Sequence, residues 1–434
     1  MGEAVTDEYR RLGISSQVFD FGETLLRSLE GRFREIDQTA EYNQLKVLAA
    51  FQENMIGESH LSGTTGYGYH DSGRDALERV YADIFHTEAA LVRPQIACGT
   101  HALSLALFSN LRPGDELLSP VGKPYDTLEQ VIGIRPAAGS LAEYGITYRE
   151  VALLPDGSID YPAIEKAITP RTKLVTIQRS RGYQNRPTLS IDSIGQLIAF
   201  VKNINPKFIC MVDNCYGEFV DTVEPSDVGA DLCVGSLIKN PGGGLAPMGG
   251  YLAGKEELIE QAGYRLVSPG LGRAVGASLE VLRSLYQGIF FAPTVTAAAL
   301  KGAVFAAKVY QSLGFNVNPK PDDDYHDIIQ AITFENPMLL TTFCQAIQAA
   351  SPIDGHVLPE AAPMPGYSCP VIMASGSFIS GSSIELSADG PLREPYIAYL
   401  QGGLTFPHAK AGVLKSLQSL LDAGLVELPS PIYT

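Results

Sequence analysis

With 434 residues the chain is longer than one hydrophobic core usually supports, so two domains are expected, and its 45% share of hydrophobic residues is that of a folded globular protein. A formal net charge of −16, from 32 basic and 48 acidic residues, argues against nucleic acid or an anionic membrane surface as partner and leaves small molecules as the natural ligands. The six cysteines show no CxxC or Cys/His spacing, so neither a disulfide framework nor a metal site is expected, no apolar run reads as a membrane span, and the reducing cytoplasm is the expected compartment.

Between residues 17 and 54, Leu25, Leu26, Leu29, Phe33 and Ile36 recur at helical spacing, and residues 1–59 read as a helical arm that packs on its own or a partner subunit. The stretch HLSGTTGYGYHDSGRD (60–75) is too rich in Gly, Ser and Thr for an element interior, and a helix is expected over 76–85. This loop carries Tyr67 and Tyr69 and is either a surface turn or a binding loop. A strand over 89–96 then runs into Cys98-Gly99-Thr100-His101, followed by an apolar helix over 102–108. Free N–H groups at such a helix start, the absent side chain of Gly99 and the hydroxyl of Thr100 make a candidate phosphate cradle. In GKPYDTLEQVIG (122–133), Tyr125 stands just before a short helix, where its ring either covers a cofactor or staples that helix.

Strands over 148–153 and 174–177 alternate with helices over 161–167 and 193–202, the pattern of an α/β domain whose mostly parallel sheet is covered on both faces. Arg179 and Arg181 follow the second of these strands and suit an anionic substrate or a structural ion pair. The run Phe208 to Val212 reads as a strand buried on both faces and ends on Asp213, and a second run, Leu232 to Gly235, ends on Ser236, with Lys239 three residues on. Ligands of open α/β sheets bind beyond the carboxyl ends of the strands, so Asp213, Ser236 and Lys239 are placed to face one ligand. Pyridoxal 5'-phosphate (PLP) fits this set. It needs a lysine for a Schiff base, an acid to keep its ring nitrogen protonated as an electron sink, and donors for its phosphate. The plain alternative is a buried structural Asp and a surface Lys. No GxGxxG lies between an early strand and helix, which argues against a nicotinamide site. Beyond residue 256 long helices follow, notably over 276–313, bridging to a second domain. That domain has a strand over 327–334, a helix over 338–349, strands near Val371 and Ile384, a strand in LREPYIAYLQGGLTF (392–406) opened by Arg393, and a helix over 408–423.

The segments GYGYHDSGRDALERVYA, CGTHALSLALF, GKPYDTLEQVIG, IQRSRGY, VDNCYGEF, GSLIKNPGGG and LREPYIAYLQGG, taken in order, resemble the PLP enzymes of cysteine and methionine metabolism, in the methionine gamma-lyase or cystathionine beta-lyase-like branch also called aluminium resistance proteins. The resemblance runs from about residue 16 to the C-terminus. It implies PLP fold type I, with a large domain over 60–285 built on a seven-stranded, mostly parallel sheet and a smaller α+β domain over 286–434. It implies that Lys239 joins the cofactor, Asp213 pairs with the pyridinium, Ser236 with Gly99 and Thr100 binds phosphate, and Tyr125 stacks on the ring and serves as an acid. Arg393 matches the arginine that takes the substrate α-carboxylate, with Arg179 a second candidate. Tyr69 resembles the tyrosine lent to a neighbouring subunit, so a homodimer or homotetramer is implied. Better-known gamma-lyases have Tyr-x-Arg in that loop, whereas Tyr69 is followed by His70 and Asp71, so the matching arginine is either missing or moved to Arg74, and Tyr67 is a second candidate for the tyrosine. The implied reaction is β- or γ-elimination of sulfur from a cystathionine-, cystine- or methionine-type amino acid. Transamination or aldol-type cleavage on the same scaffold is the alternative, and a non-catalytic PLP-binding regulator lacks a basic patch to support it.

Overall fold

The structure, a computed structural model, describes residues 2–184, 186–364 and 367–429. The chain opens with helices α1 (Gly2–Arg11), α2 (Ser16–Arg27), α3 (Glu30–Glu53) and α4 (Ser72–Ile84). Alternation then begins: β1 (Ala89–Arg93), α5 (Gly99–Asn110), β2 (Glu116–Ser119), α6 (Asp126–Ile132), β3 (Thr147–Glu150), α7 (Tyr161–Ala167), β4 (Thr172–Gln178), α8 (Ile191–Ile204), β5 (Ile209–Asp213), β6 (Leu232–Ser236) and β7 (Gly250–Gly254). After α9 (Glu256–Leu266) and α10 (Leu282–Ser312) come β8 (Asn316–Asn318), β9 (Ile329–Thr333), α11 (Pro337–Ala349), β10 (Val371–Ser375), β11 (Ser387–Pro391), β12 (Ile397–Gln401) and α12 (Phe406–Asp422).

The chain forms two compact units, Tyr42–Ala292 and Met1–Glu41 with Pro293–Thr434. The expected arm over 1–59 is therefore divided between them. In the first unit, seven strands run in the order β1-β7-β6-β5-β4-β2-β3; β2 to β6 are mutually parallel and β7 is antiparallel to β1 and β6. Apart from the edge strand β3, the strands are largely buried on both faces because helices cover each: Leu103, Leu107 and Ile259 pack on one, and Leu77, Val80 and Tyr286 on the other. Each fully buried Leu, Ile or Val side chain contributes about 1.5–3 kcal/mol, which is why β5 reads as an unbroken apolar run up to Asp213.

In the second unit, five antiparallel strands run in the order β10-β11-β12-β9-β8. Helices α11 and α12 belong to this unit, and α2 is tied to it through the Ser15 N–H, which donates to Gln418 Oε1 at 3.0 Å, and the Lys410–Glu23 ion pair. No strand forms at Ile384; β11 begins at Ser387 instead. Residues 392–396 make a turn that reverses the chain between β11 and β12, so Arg393 stands exposed ahead of a strand that it was expected to open. The absence of a membrane-length apolar run also needs correction. The helix that includes α10 is long and apolar enough to cross a membrane, but 72% of its most apolar window is buried inside the protein.

Candidate active site

The parallel register sets Gln178 beside Asp213 and Asp213 beside Val234, which aligns the carboxyl ends of β4, β5 and β6. Asp213 and Ser236 end their strands buried, 9% and 1% exposed. Lys239 follows in the tight turn after β6, and its Nζ lies 3.9 Å from the centre of the Tyr216 ring. Asp213 Oδ1 accepts the Cys215 N–H at 3.2 Å. Burial pushes the Asp213 carboxyl above its ordinary value and Lys239 pulls it part of the way back. Burial alone would lower the Lys239 ammonium, but the acidic groups of Cys215, Tyr216, Asp213 and Glu218 outweigh it and hold that lysine above its usual value.

Helix α5 delivers the third side of the site. Its first residue is Gly99, and its N-cap, Cys98, provides no side-chain cap, so the first-turn N–H groups are not closed off by that residue. A Cβ on Gly99 would stand 3.3 Å from Ser236 Cβ and 3.6 Å from Cys215 Sγ, so glycine lets the helix end approach the strand ends without the shift of a few tenths of an ångström that a side chain would require. Thr100 Oγ1 and Thr127 Oγ1 are 2.8 Å apart and join the starts of α5 and α6. Tyr125, the N-cap of α6, sets its ring edge-on to Tyr183 at 5.9 Å between centroids.

The structure thus brings together Lys239, Asp213, Ser236 and Gly99, with Thr100 in the same first turn of α5. Arg179 does not join them. It is fully buried, its Nη1 donating to Asn214 Oδ1 and the Gly217 carbonyl at 2.9 Å each and its Nη2 to Asp221 at 2.6 Å, the structural ion pair of the two readings open for it. Arg74 is also turned inward. Its Nη1 donates to the carbonyls of Gly68 and Gly276 at 2.8 and 2.9 Å, so it fastens the aromatic loop and is not presented outward like the arginine of a Tyr-x-Arg pair. Tyr67 and Tyr69 are 70% and 51% exposed on that loop, ring centroids 5.8 Å apart. The helix expected at 76 starts at Ser72, because Asp71 caps it through the Arg74 N–H at 2.9 Å. Sequence reasoning missed Tyr216 and Glu218. Both lie within VDNCYGEF, and only the fold turns them toward Lys239.

With this geometry in hand, a family model described as methionine gamma-lyase matches residues 19–421. The chain belongs to this family. A Bacillus subtilis relative of uncharacterised function, YnbB, is 54% identical over 92% of this chain and 95% of its own length. A solved structure of a carbon-sulfur lyase involved in aluminium resistance, from Clostridium novyi, is 51% identical, covers 96% of this chain and 99% of its own, and superposes with a TM-score of 0.92. The pyridoxal-5'-phosphate dependent protein YhfS of Escherichia coli, 17% identical over 89% of this chain and 97% of its own, shares the fold at a TM-score of 0.59. The fold is that of the fold type I PLP enzymes.

The residues of this methionine gamma-lyase family member suit PLP by their chemistry. Asp213 is a buried carboxyl whose burial a cationic ring nitrogen would offset, Lys239 is the lysine beside it, and the close approach of Gly99 to Ser236 leaves an N–H and hydroxyl cradle for a phosphate.

Proposed function

We propose that the protein is a PLP-dependent carbon–sulfur lyase that eliminates a sulfur leaving group from a cysteine- or methionine-type amino acid. The observation that carries the reading is the half-buried lysine, Lys239, electrostatically coupled to a buried acid, Asp213, at the aligned ends of β5 and β6 and next to the open start of α5. The names of the relatives point the same way.

When bound, PLP supplies an electron sink for the Cα of the amino acid. The chain does the rest. Asp213 holds the ring nitrogen's proton through a charge-assisted hydrogen bond worth on the order of 1.5–3 kcal/mol. Ser236 and the first N–H groups of α5 take the phosphate, with Thr100 fixed to Thr127 at its edge. The Lys239 Nζ, once neutral, removes the proton from Cα, and Tyr125 donates one to the departing sulfur. Arg393 is the proposed partner of the substrate α-carboxylate, on the family resemblance and on its guanidinium fork. The Tyr67–Tyr69 loop reaches a second copy of the chain, which makes the working unit a dimer or a pair of dimers.

The test is to offer cystathionine, cystine, methionine and homocysteine and to measure thiol, ammonia and 2-oxo acid together. Stoichiometric release of all three from any one of them supports the reading, with pyruvate marking β-elimination and 2-oxobutyrate γ-elimination. Oxo acid formed only when a second oxo acid is supplied identifies an aminotransferase instead. Replacement of Arg393 by Ala is expected to act mainly on KM.

A further inference from the structure

The buried glutamates of the Tyr42–Ala292 unit are supplied with donors. Glu78 pairs with Arg93 at 2.7 Å and accepts the Val92 N–H at 3.1 Å. Glu116 accepts the hydroxyls of Thr169 and Thr172 at 2.9 and 2.8 Å. Glu224 accepts the Phe219 N–H and the Asn214 amide at 2.9 Å each, with Arg179 at 3.9 Å.

Glu218 is different. Its side chain is fully buried, Oε1 accepts the Tyr251 hydroxyl at 2.9 Å, and Oε2 has no hydrogen-bond partner. Among the described residues no cation lies within ion-pair distance of it. The space for this carboxyl is built in, because a Cβ on Gly235 would stand 2.5 Å from Glu218 Oε1 and would also collide with the Tyr251 ring. Asn240, next in sequence to Lys239, donates to the main-chain carbonyls of Tyr216 and Glu218 at 3.0 Å each and locks the two segments together.

The groups around Glu218 are acids from every side. Strand β7 brings Tyr251, α4 brings Tyr81, and the turn after β5 brings Glu224. Lys239 is the cation that faces it; Lys46 and Arg179 act on Glu224. Each acid that ionises near Lys239 favours its ammonium form, whereas proton abstraction and Schiff-base formation both require the free amine. Its own main-chain N–H also favours the ionised form, but a buried carboxyl with a single side-chain donor and an unpartnered oxygen is most stable neutral.

We propose that Glu218 is a positioning residue that keeps its proton in the working site and so allows Lys239 to shed its own. It acts through Lys239 and touches no substrate. The inference rests on the reading of Lys239 as the PLP lysine. Burial pushes the Glu218 carboxyl up to about 8, so the acid is neutral over the range in which the lysine has to work. Glutamine at 218 is isosteric with that neutral form.

The experiment uses the full-length protein freed of bound cofactor. Infrared difference spectra between wild type and Glu218→Gln are expected to show a protonated-acid C=O band in wild type at about pH 6.5 that fades with a midpoint about one unit or less from pH 8. Acylation of Lys239 by acetic anhydride, followed by mass spectrometry, is expected to agree within about twofold between the two proteins below about pH 7. Above about pH 9 the Gln variant labels several-fold faster, because wild-type Glu218 has ionised there and stabilises the ammonium. Replacement of Tyr251 by Phe removes a bond that favours the ionised form, so the infrared midpoint moves up. An ionised carboxylate at about pH 6.5, labelling profiles that differ by one constant factor at every pH, or a Tyr251→Phe midpoint that stays or falls overturns the proposal. Absence of a borohydride-reducible link between PLP and Lys239 would sink the lyase reading and leave these readouts intact.

Discussion

Asp71 and Glu218 are two buried acids of one unit with opposite surroundings. Asp71 Oδ2 accepts the Ser278 N–H at 3.1 Å and the hydroxyls of Ser278 and Thr64 at 2.5 Å each, and Oδ1 accepts the Arg74 N–H. Burial pushes its carboxyl up, yet the bonds from Ser278, Thr64 and Arg74 outweigh burial and hold it below its ordinary value. Glu218 has only its own main-chain N–H and the Tyr251 hydroxyl to favour the ionised form, and burial prevails. In this pair the same chemistry builds architecture where donors converge on the carboxylate and stores a proton where they do not, while burial raises even the donor-supplied Glu224. The aromatic loop illustrates the first case. It is pinned by Asp71, by Arg74, and by backbone bonds from Gly276 to Tyr67 and from Leu279 to Thr64 at 2.9 and 3.0 Å, which present Tyr67 and Tyr69 outward on a rigid base.

The largest effect that would break or sharpen this contrast is expected at the lysine that Glu218 serves. Lys239→Ala should lower elimination by roughly 10³-fold or more and abolish borohydride-reducible attachment of PLP, because the proposed base and the proposed point of attachment are one atom. A reducible adduct on another lysine would refute the assignment.

The next effect is a dependence of stability on pH. A carboxyl raised from the ordinary glutamate value near 4.5 to about 8 binds a proton in the folded state that the unfolded chain has released, so stability falls as pH rises through that window. Glu218→Gln removes the dependence. Urea melts at intervals across the window should show the variant gaining on wild type by on the order of 1 kcal/mol per pH unit, and parallel curves would contradict the raised value.

Asp71 carries the opposite sign. Its folded value is lowered, so its contribution is present above about 3.8 and is lost as pH falls through the lower folded value. Asp71→Ala leaves the Ser278, Thr64 and Arg74 donors without their acceptor and is expected to cost roughly 2–3 kcal/mol at neutral pH, measured by denaturant unfolding. The same substitution should raise proteolytic nicking near Tyr67, since it releases the loop.

The smallest effect belongs to the cradle. Gly99→Ala sets a methyl 3.3 Å from Ser236 Cβ, and the helix end must withdraw by a few tenths of an ångström. A loss of about tenfold in PLP affinity, or about 1.4 kcal/mol, is expected by spectroscopic titration with unchanged thermal stability. Unchanged affinity would show that α5 does not hold the phosphate.

By itself the sequence determined the features that rest on near neighbours along the chain. Apolar runs ending on Asp213 and Ser236, the Gly-Thr start of α5 and the alternation of strands with helices are local patterns, and in a parallel sheet they oblige the strand ends to open on one side. Short strands without a strong pattern, such as β2 and β7, went unread because their burial comes from flanking strands. Tertiary structure alone decided which polar groups were left without partners. Arg179 became structural because Asn214 and Asp221 surround it, and Arg74 because the carbonyls of Gly68 and Gly276 converge on it. Glu218 lies two residues from Tyr216 in sequence, but its environment depends on Tyr251 and on the missing side chain of Gly235, residues brought over it by β6 and β7. Desolvation and the supply of donors are properties of the folded interior, so no spacing along the chain encodes them.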